Sequence, residues 1–166
     1  MLENIFALRD VISMCGGKIR GRKKIQKIIY ILQELSDLPL KPYQFKWNYY
    51  GVYSEELAND LNVGESFGIL KENQEEEYGY RTYIIEAVDS SNPTRLCHDQ
   101  KLKGIVQYLS QQETRVLEVL SSIIFFKNEG LDGEELKGKL STFKGHLAAF
   151  FDQAFKAYDE LSQLLH

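Results

Sequence analysis

Cysteine is almost absent from this sequence of 166 residues, and its two copies, Cys15 and Cys97, stand far apart. A disulfide framework or a four-ligand zinc site has nothing to build on. Long apolar runs are also missing. Ile28–Leu32 is interrupted by Gln33 and Ile123–Phe126 by Lys127, well short of the roughly 18 residues that a membrane span requires. Residues 1–15 carry Glu3, Arg9 and Asp10 inside their apolar pattern, unlike a secretory signal, so a cytoplasmic location is expected. Only three prolines and twelve glycines occur, which excludes collagen and low-complexity linkers. What is present is 43% apolar, 27% charged and 12% aromatic residues, enough to bury one ordinary core.

The net charge of −4 conceals an uneven distribution. Residues 1–30 hold seven basic side chains (Arg9, Lys18, Arg20, Arg22, Lys23, Lys24 and Lys27) against Glu3 and Asp10. Residues 54–79 hold eight acidic ones (Glu55, Glu56, Asp60, Glu65, Glu72, Glu75, Glu76 and Glu77) against Lys71 alone. A bipolar surface is expected, with either pole a solvated face or a docking site.

Apolar spacing predicts a helix over residues 2–15, stopped by Gly16-Gly17, and a second after Gly21 with Ile25, Ile28, Ile29, Leu32 and Leu35 inward. Basic residues crowd the start of that second helix, where they oppose the macrodipole. They point either to a partner or to pairing with the acidic region downstream. Pro39 and Pro42 end the helix, and Tyr43, Phe45, Trp47 and Tyr49 alternate with polar residues as in a half-buried strand. Tyr50–Tyr53 reads as a turn, Ser54 as the N-cap of a short helix with Glu55 and Glu56 in its first turn, and Gly64 as its stop. Phe67–Leu70 and Arg81–Val88 are expected to be strands joined across the polar stretch 71–80. This is a winged-helix order with one extra strand before the third helix.

The loop Asp89–Pro93 marks the expected boundary with an all-helical remainder. There Leu102, Ile105, Val106 and Leu109 form one helix. Ser110 and Glu113 form a capping box for another, and Asp132 with Glu135 repeats that signal. Leu147, Phe150, Phe151, Ala154, Phe155, Tyr158, Leu161, Leu164 and Leu165 form a final stripe, read as core first and as a homodimer face second.

Enzyme chemistry finds little support. His98, His146 and His166 lack metal-ligand spacing, and the neighbours Cys97 and His98 point in different directions on any regular element. Phosphate-cradling glycine motifs and the nucleophile elbow are absent. Glu75-Glu76-Glu77 reads as a solvated turn rather than a cation site. DNA binding meets a charge objection: in a winged helix the third helix and the wing should be basic, yet here both are acidic. Only a mode led by Arg20, Arg22, Lys23, Lys24 and Lys27 survives, for nucleic acid or a second partner. Protein recognition uses the same features productively, with carboxylates for a basic partner and tyrosines as anchors.

The segments Gly21-Arg-Lys-Lys-Ile-Gln-Lys-Ile-Ile-Tyr30, Phe45-Lys-Trp-Asn-Tyr-Tyr-Gly-Val-Tyr-Ser-Glu-Glu-Leu57 and Asp60-Leu61 resemble the YwgA-like proteins. More distantly they are similar to the Panacea, or SocA-like, antitoxin domain. The resemblance spans roughly residues 1–88, and Val52 stands where proline is usual. It implies a non-enzymatic module that binds a protein, in the antitoxin case neutralising a toxin or delivering it to a protease.

The expected fold is α+β and mainly α. A winged-helix-like lobe with a small antiparallel sheet covers residues 1–89, and a helical hairpin or bundle covers 94–166, packed on it as one compact unit. The expected protein-binding surface is Tyr50, Tyr53, Glu55, Glu56, Asp60, Glu75, Glu76 and Glu77. Its partner is a toxin or a regulated protein, with a DNA-binding regulator as the alternative. No cofactor, metal or membrane is expected.

Overall fold

The computed structural model describes residues 2–38, 40–88 and 93–165. The helix break at Pro39, most of the expected boundary loop (residues 89–92) and His166 lie outside the described residues. The described chain is mainly helical, with 64% helix and 16% strand. The element order is α1 (Leu2–Met14), β1 (Lys18–Arg20), α2 (Arg22–Leu35), β2 (Lys46–Asn48), β3 (Gly51–Tyr53), α3 (Glu55–Ser66), β4 (Leu70–Glu77) and β5 (Tyr80–Ala87). Then follow α4 (Gln100–Ser110), α5 (Thr114–Asn128), α6 (Gly133–Lys144) and α7 (Phe151–Leu165), with 3-10 turns at Arg95–His98 and Gly145–Phe150.

Strand β1 is a segment that periodicity does not reveal, because three residues are too few to show alternation. Its Ile19 is buried, and it pairs antiparallel with β5, Ile19 opposite Ile85. Strand β5 also pairs with β4, giving an antiparallel sheet in the order β1-β5-β4. The expected strand at Phe67–Leu70 is corrected. Phe67 closes α3 as its C-cap, and β4 runs through the acidic stretch itself, Lys71 to Glu77. Those residues lack an apolar alternation because, beyond Leu70, none of them is buried. The strand is held by its ladder to β5 and by a two-residue turn at Tyr78-Gly79. Both turn residues have positive φ, 54° and 80°, the backbone twist that tight hairpins favour.

Three further expectations are corrected. The aromatic strand 43–49 shortens to β2, and its hairpin turn is Tyr49-Tyr50, so that Gly51–Tyr53 is a strand rather than a turn. Gly64 does not end α3 but lies inside it, against Leu70 and Ile5, where a side chain would collide. Ser110 closes α4, and Glu113 precedes α5 without a side-chain cap bond, so no capping box forms there. By contrast Ser54 accepts from the Leu57 N–H, and Asp132 from that of Gly133, at the two helix starts read from sequence.

One hydrophobic core runs from Ala7 and Leu8 of α1 through Ile28 and Ile29 of α2 to Leu117, Leu120 and Ile124 of α5 and Leu161 of α7. The expected final stripe divides at a kink near Leu147, and Phe150, Phe151, Phe155 and Tyr158 pack against that core. A polar tie reinforces the join, since Asp10 on α1 accepts hydrogen bonds from the Thr94 N–H and hydroxyl at 2.7 and 2.6 Å.

The register of α7 is testable. Leu161 is fully buried whereas Leu164 is 51% exposed. Leu161→Ala is expected to lower the unfolding free energy by about 2–5 kcal/mol, and Leu164→Ala by no more than about 0.5 kcal/mol. Urea denaturation of both variants reads the difference, and equal losses would contradict this packing.

Candidate functional site: an aromatic cleft over a buried lysine cluster

Helix α2 buries two polar side chains, Gln26 and Lys27, and each acquires defined partners. Gln26 grips Ser54 from both sides. Its amide donates to the Ser54 carbonyl and its oxygen accepts from the Ser54 N–H, both at 2.9 Å. Lys27, only 1% exposed, donates to the carbonyls of Tyr50 at 2.8 Å and Val52 at 2.6 Å. These bonds fix the β2–β3 hairpin and the start of α3 against α2. Gly51 supplies the backbone turn: its φ of +88° is one that L side chains rarely adopt, although a Cβ there would make only ordinary contact, 3.7 Å from Lys27 and Lys144 Nζ.

Behind the hairpin, Glu118 of α5 is the shared counter-ion. One carboxylate oxygen lies 3.0 Å from Lys23 Nζ and the other 3.1 Å from Lys144 Nζ. Burial works to raise the Glu118 carboxyl, but the hydrogen bonds and charges of Lys144 and Lys23 outweigh it and hold its pKa below the ordinary value. Burial pushes the Lys27 ammonium down to about 8, with Glu118 opposing the fall and Lys144 and Lys23 adding to it. Aromatic rings complete the enclosure. Lys23 Nζ stands 4.3 Å from the Tyr50 ring and Lys144 Nζ 5.4 Å from that of Trp47, geometry that stabilises a cation.

In front of this cluster opens a cleft of about 740 Å3 between the hairpin, the start of α3 and the end of α6. Trp47, Tyr49, Tyr53 and Phe143 give it aromatic walls, and Lys46, Lys144, Glu55 and Glu56 give it charges of both signs. Trp47 is held in place by Phe125 and Phe126, with ring centroids 5.2 and 4.9 Å away.

Of the residues expected to bind protein, Tyr53, Glu55 and Glu56 therefore converge on one cleft. Tyr50 lies beside it in the hairpin turn, exposed and against Lys23. Asp60 does not line it. Its carboxylate accepts the Tyr43 hydroxyl at 2.6 Å and borders a smaller hollow of about 310 Å3. Glu75, Glu76 and Glu77 lie exposed on β4, apart from the cleft, next to the projecting Tyr78 and Tyr80.

The basic segment is engaged within the molecule. Arg20 pairs with Glu75 and Glu77, Arg22 with Glu72 and Asn62, and Lys24 donates to the Ser110 carbonyl. Cys97 is exposed beside His98, yet burial of the thiol and the Asp10 carboxylate raise its pKa, the reverse of an activated nucleophile. Among the described residues no group of acidic, histidine and cysteine side chains could hold a metal, and no helix is long and apolar enough to cross a membrane.

The chain is 32% identical over 156 residues to Uncharacterized protein YwgA of Bacillus subtilis (strain 168), a match covering 90% of this chain and 91% of that one. It belongs to the YwgA-like family. No family model and no solved structure matches it. A match of that length extends well past residue 88, into the helical half of this chain that supplies Glu118, Phe143 and Lys144. Those three residues, with Lys46 and Trp47, were not read as a site from sequence. The available signal was Glu118, a carboxylate inside the apolar run 116–124, which must find a partner when buried.

Glu118→Gln leaves Lys144 buried without its counter-ion, and a loss of about 3–5 kcal/mol in unfolding free energy is expected, measured by urea denaturation at pH 7. The pH profile carries a second expectation. From pH 8 to 10.5 the native chain has released the Lys27 proton that the unfolded chain still binds, so stability rises with pH. The Cys15 thiol, pushed up to about 12 by burial despite Lys24, acts oppositely from pH 9, because the unfolded chain then loses a proton that the native one keeps. Stability should therefore climb from pH 8 to 9 and level or fall above it. In Cys15→Ala the climb should continue to near pH 10, where the buried phenols of Tyr30 and Tyr43, also raised, reverse it.

Proposed function

We propose that this YwgA-like protein is a non-enzymatic recognition module of winged-helix-like build, antitoxin-like or adaptor-like, acting in the cytoplasm on a partner protein. The observation that carries this reading is the division of charge. Each basic residue of the 18–27 segment has a partner inside the molecule, Lys18 only at 3.9 Å from Glu86, while Glu55, Glu76 and the tyrosines of the hairpin tips are left to solvent. Tyr49 and Tyr78 are 96% and 93% exposed, at the tips of the two hairpins. Glu55 and Glu76 enter no ion pair among the described residues. Such a surface complements a basic protein and repels a polyanion. A nucleic acid approaching Arg20 and Arg22 would first have to displace Glu72, Glu75 and Glu77.

The winged-helix element of the proposal is supported by the order α1-β1-α2-α3-β4-β5 with its β1-β5-β4 sheet. The short β2–β3 hairpin is inserted before the third helix. The distant resemblance to the Panacea domain supports the antitoxin-like element. Its partner would be a toxin, or a regulated protein in the adaptor case.

The test is capture of the tagged protein's partner from the native host, quantified beside Glu55→Lys/Glu56→Lys. A stoichiometric protein that the double reversal weakens at least about tenfold, or 1.4 kcal/mol, supports the reading. Nuclease-sensitive nucleic acid in place of a protein, or a partner indifferent to the reversal, counts against it.

A further inference from the structure

The lining of the cleft carries charge of both signs. Lys144 stands against Trp47, Lys46 precedes that tryptophan on β2 opposite Tyr53, and Glu55 and Glu56 lie on the first turn of α3. Behind the lysine side the charges do not balance. Lys23, Lys27 and Lys144 are grouped around the single carboxylate of Glu118. Lys144 donates to Glu118 alone among the described residues, leaving N–H groups beside the indole of Trp47. Lys27 and Lys144 are buried and Lys23 is 41% exposed; such a cationic surplus draws an anion, and this one adjoins an open cleft.

We propose that the cleft takes the C-terminal end of a partner polypeptide. The terminal carboxylate is drawn to the Lys46 and Lys144 side, the last side chain lies against Trp47 and Phe143, and a basic residue upstream meets Glu55 and Glu56. A chain end suits this geometry because it presents a carboxylate and a side chain from one carbon, matching an amine beside aromatic rings. An acidic side chain within a chain brings its carboxylate without an adjoining apolar group of its own. The volume of about 740 Å3 lies within the roughly 300–1,000 Å3 of ligand clefts, room for a few terminal residues rather than a folded face. The inference rests on the protein-recognition reading above and names the part of the partner that is read.

Trp47 is the chain's single tryptophan and lines the cleft, so its emission reports occupancy directly. The probe is a pool of acetylated, tryptophan-free tetrapeptides with arginine at the first position and the last two positions randomised, made as free acids and as C-terminal amides. The free acids are expected to change Trp47 emission saturably and to bind about tenfold or more tightly than the amides. Lys46→Glu, at an exposed position on β2, should reduce that preference at least severalfold while the far-UV circular dichroism stays unchanged. Acetate at the same concentration should leave the emission unaltered, separating a chain end from a free carboxylate. Equal binding of acid and amide overturns the inference, as does silence of Trp47 at millimolar peptide or a preference that Lys46→Glu leaves intact. The two readings also fail separately. A captured host partner that binds equally well after removal of its last three residues overturns the chain-end inference and leaves protein recognition standing.

Discussion

Glu118 holds together parts of the chain that have no covalent reason to meet. From α5 it binds Lys23 of α2 with one oxygen and Lys144 of α6 with the other, and it is itself only 4% exposed. A carboxylate so placed is stable only with cations at hydrogen-bond distance, and the buried Lys144 ammonium is in turn stable only with it. The consequence is positional. Lys23 and Lys27 lie one helical turn apart on α2, so anchoring one presents the other to the Tyr50 and Val52 carbonyls. The β2–β3 hairpin, the start of α3 and the end of α6 are thus set around one buried charge, and the cleft is the space they leave.

The remaining charges follow a different economy. Arg20 and its partners Glu75 and Glu77 are about half exposed, so these pairs contribute little stability in water. Their effect is to neutralise the one stretch of sequence that otherwise presents a cationic face. Arg22 to Glu72, at 2.6 Å and more buried, ties the start of α2 to β4. The basic start of α2 is consequently less opposed to its macrodipole than the sequence suggests, because carboxylates from β4 and α5 sit beside those same side chains. At the hairpin tips and the first turn of α3, Tyr49, Tyr78, Glu55 and Glu76 are left exposed, with Lys46 exposed on β2.

Legibility differed from element to element for identifiable reasons. Helix α2 was clear because its isoleucines repeat at helical spacing, and α3 because Ser54 and two glutamates form a start signal that the backbone obeys. Strand β4 was misplaced because a strand with both faces in solvent has no apolar alternation to detect. Its existence depends on pairing with β5, and its register on the positive-φ turn at Tyr78-Gly79. Ser110 and Glu113 had the spacing of a capping box, yet Ser110 turned back to the Gln107 carbonyl as the last residue of α4. Of the candidate surface, Tyr53, Glu55 and Glu56 were found because they cluster in sequence. Lys46, Trp47, Phe143 and Lys144 were not, since the last two lie nearly a hundred residues away from their cleft partners.

By itself the sequence determined the helix periods, the separation of basic and acidic segments and the kinship carried by residues 21–61, all properties of neighbouring residues. Which carboxylate meets which lysine was decided only in the tertiary structure, because Glu118, Lys23 and Lys144 come from three helices whose packing brings their tips together. The same packing decided that carboxylates from β4, β5 and α5 sit beside the basic segment. Charge in a sequence is a count, but its availability to a partner depends on what the fold has already placed beside it.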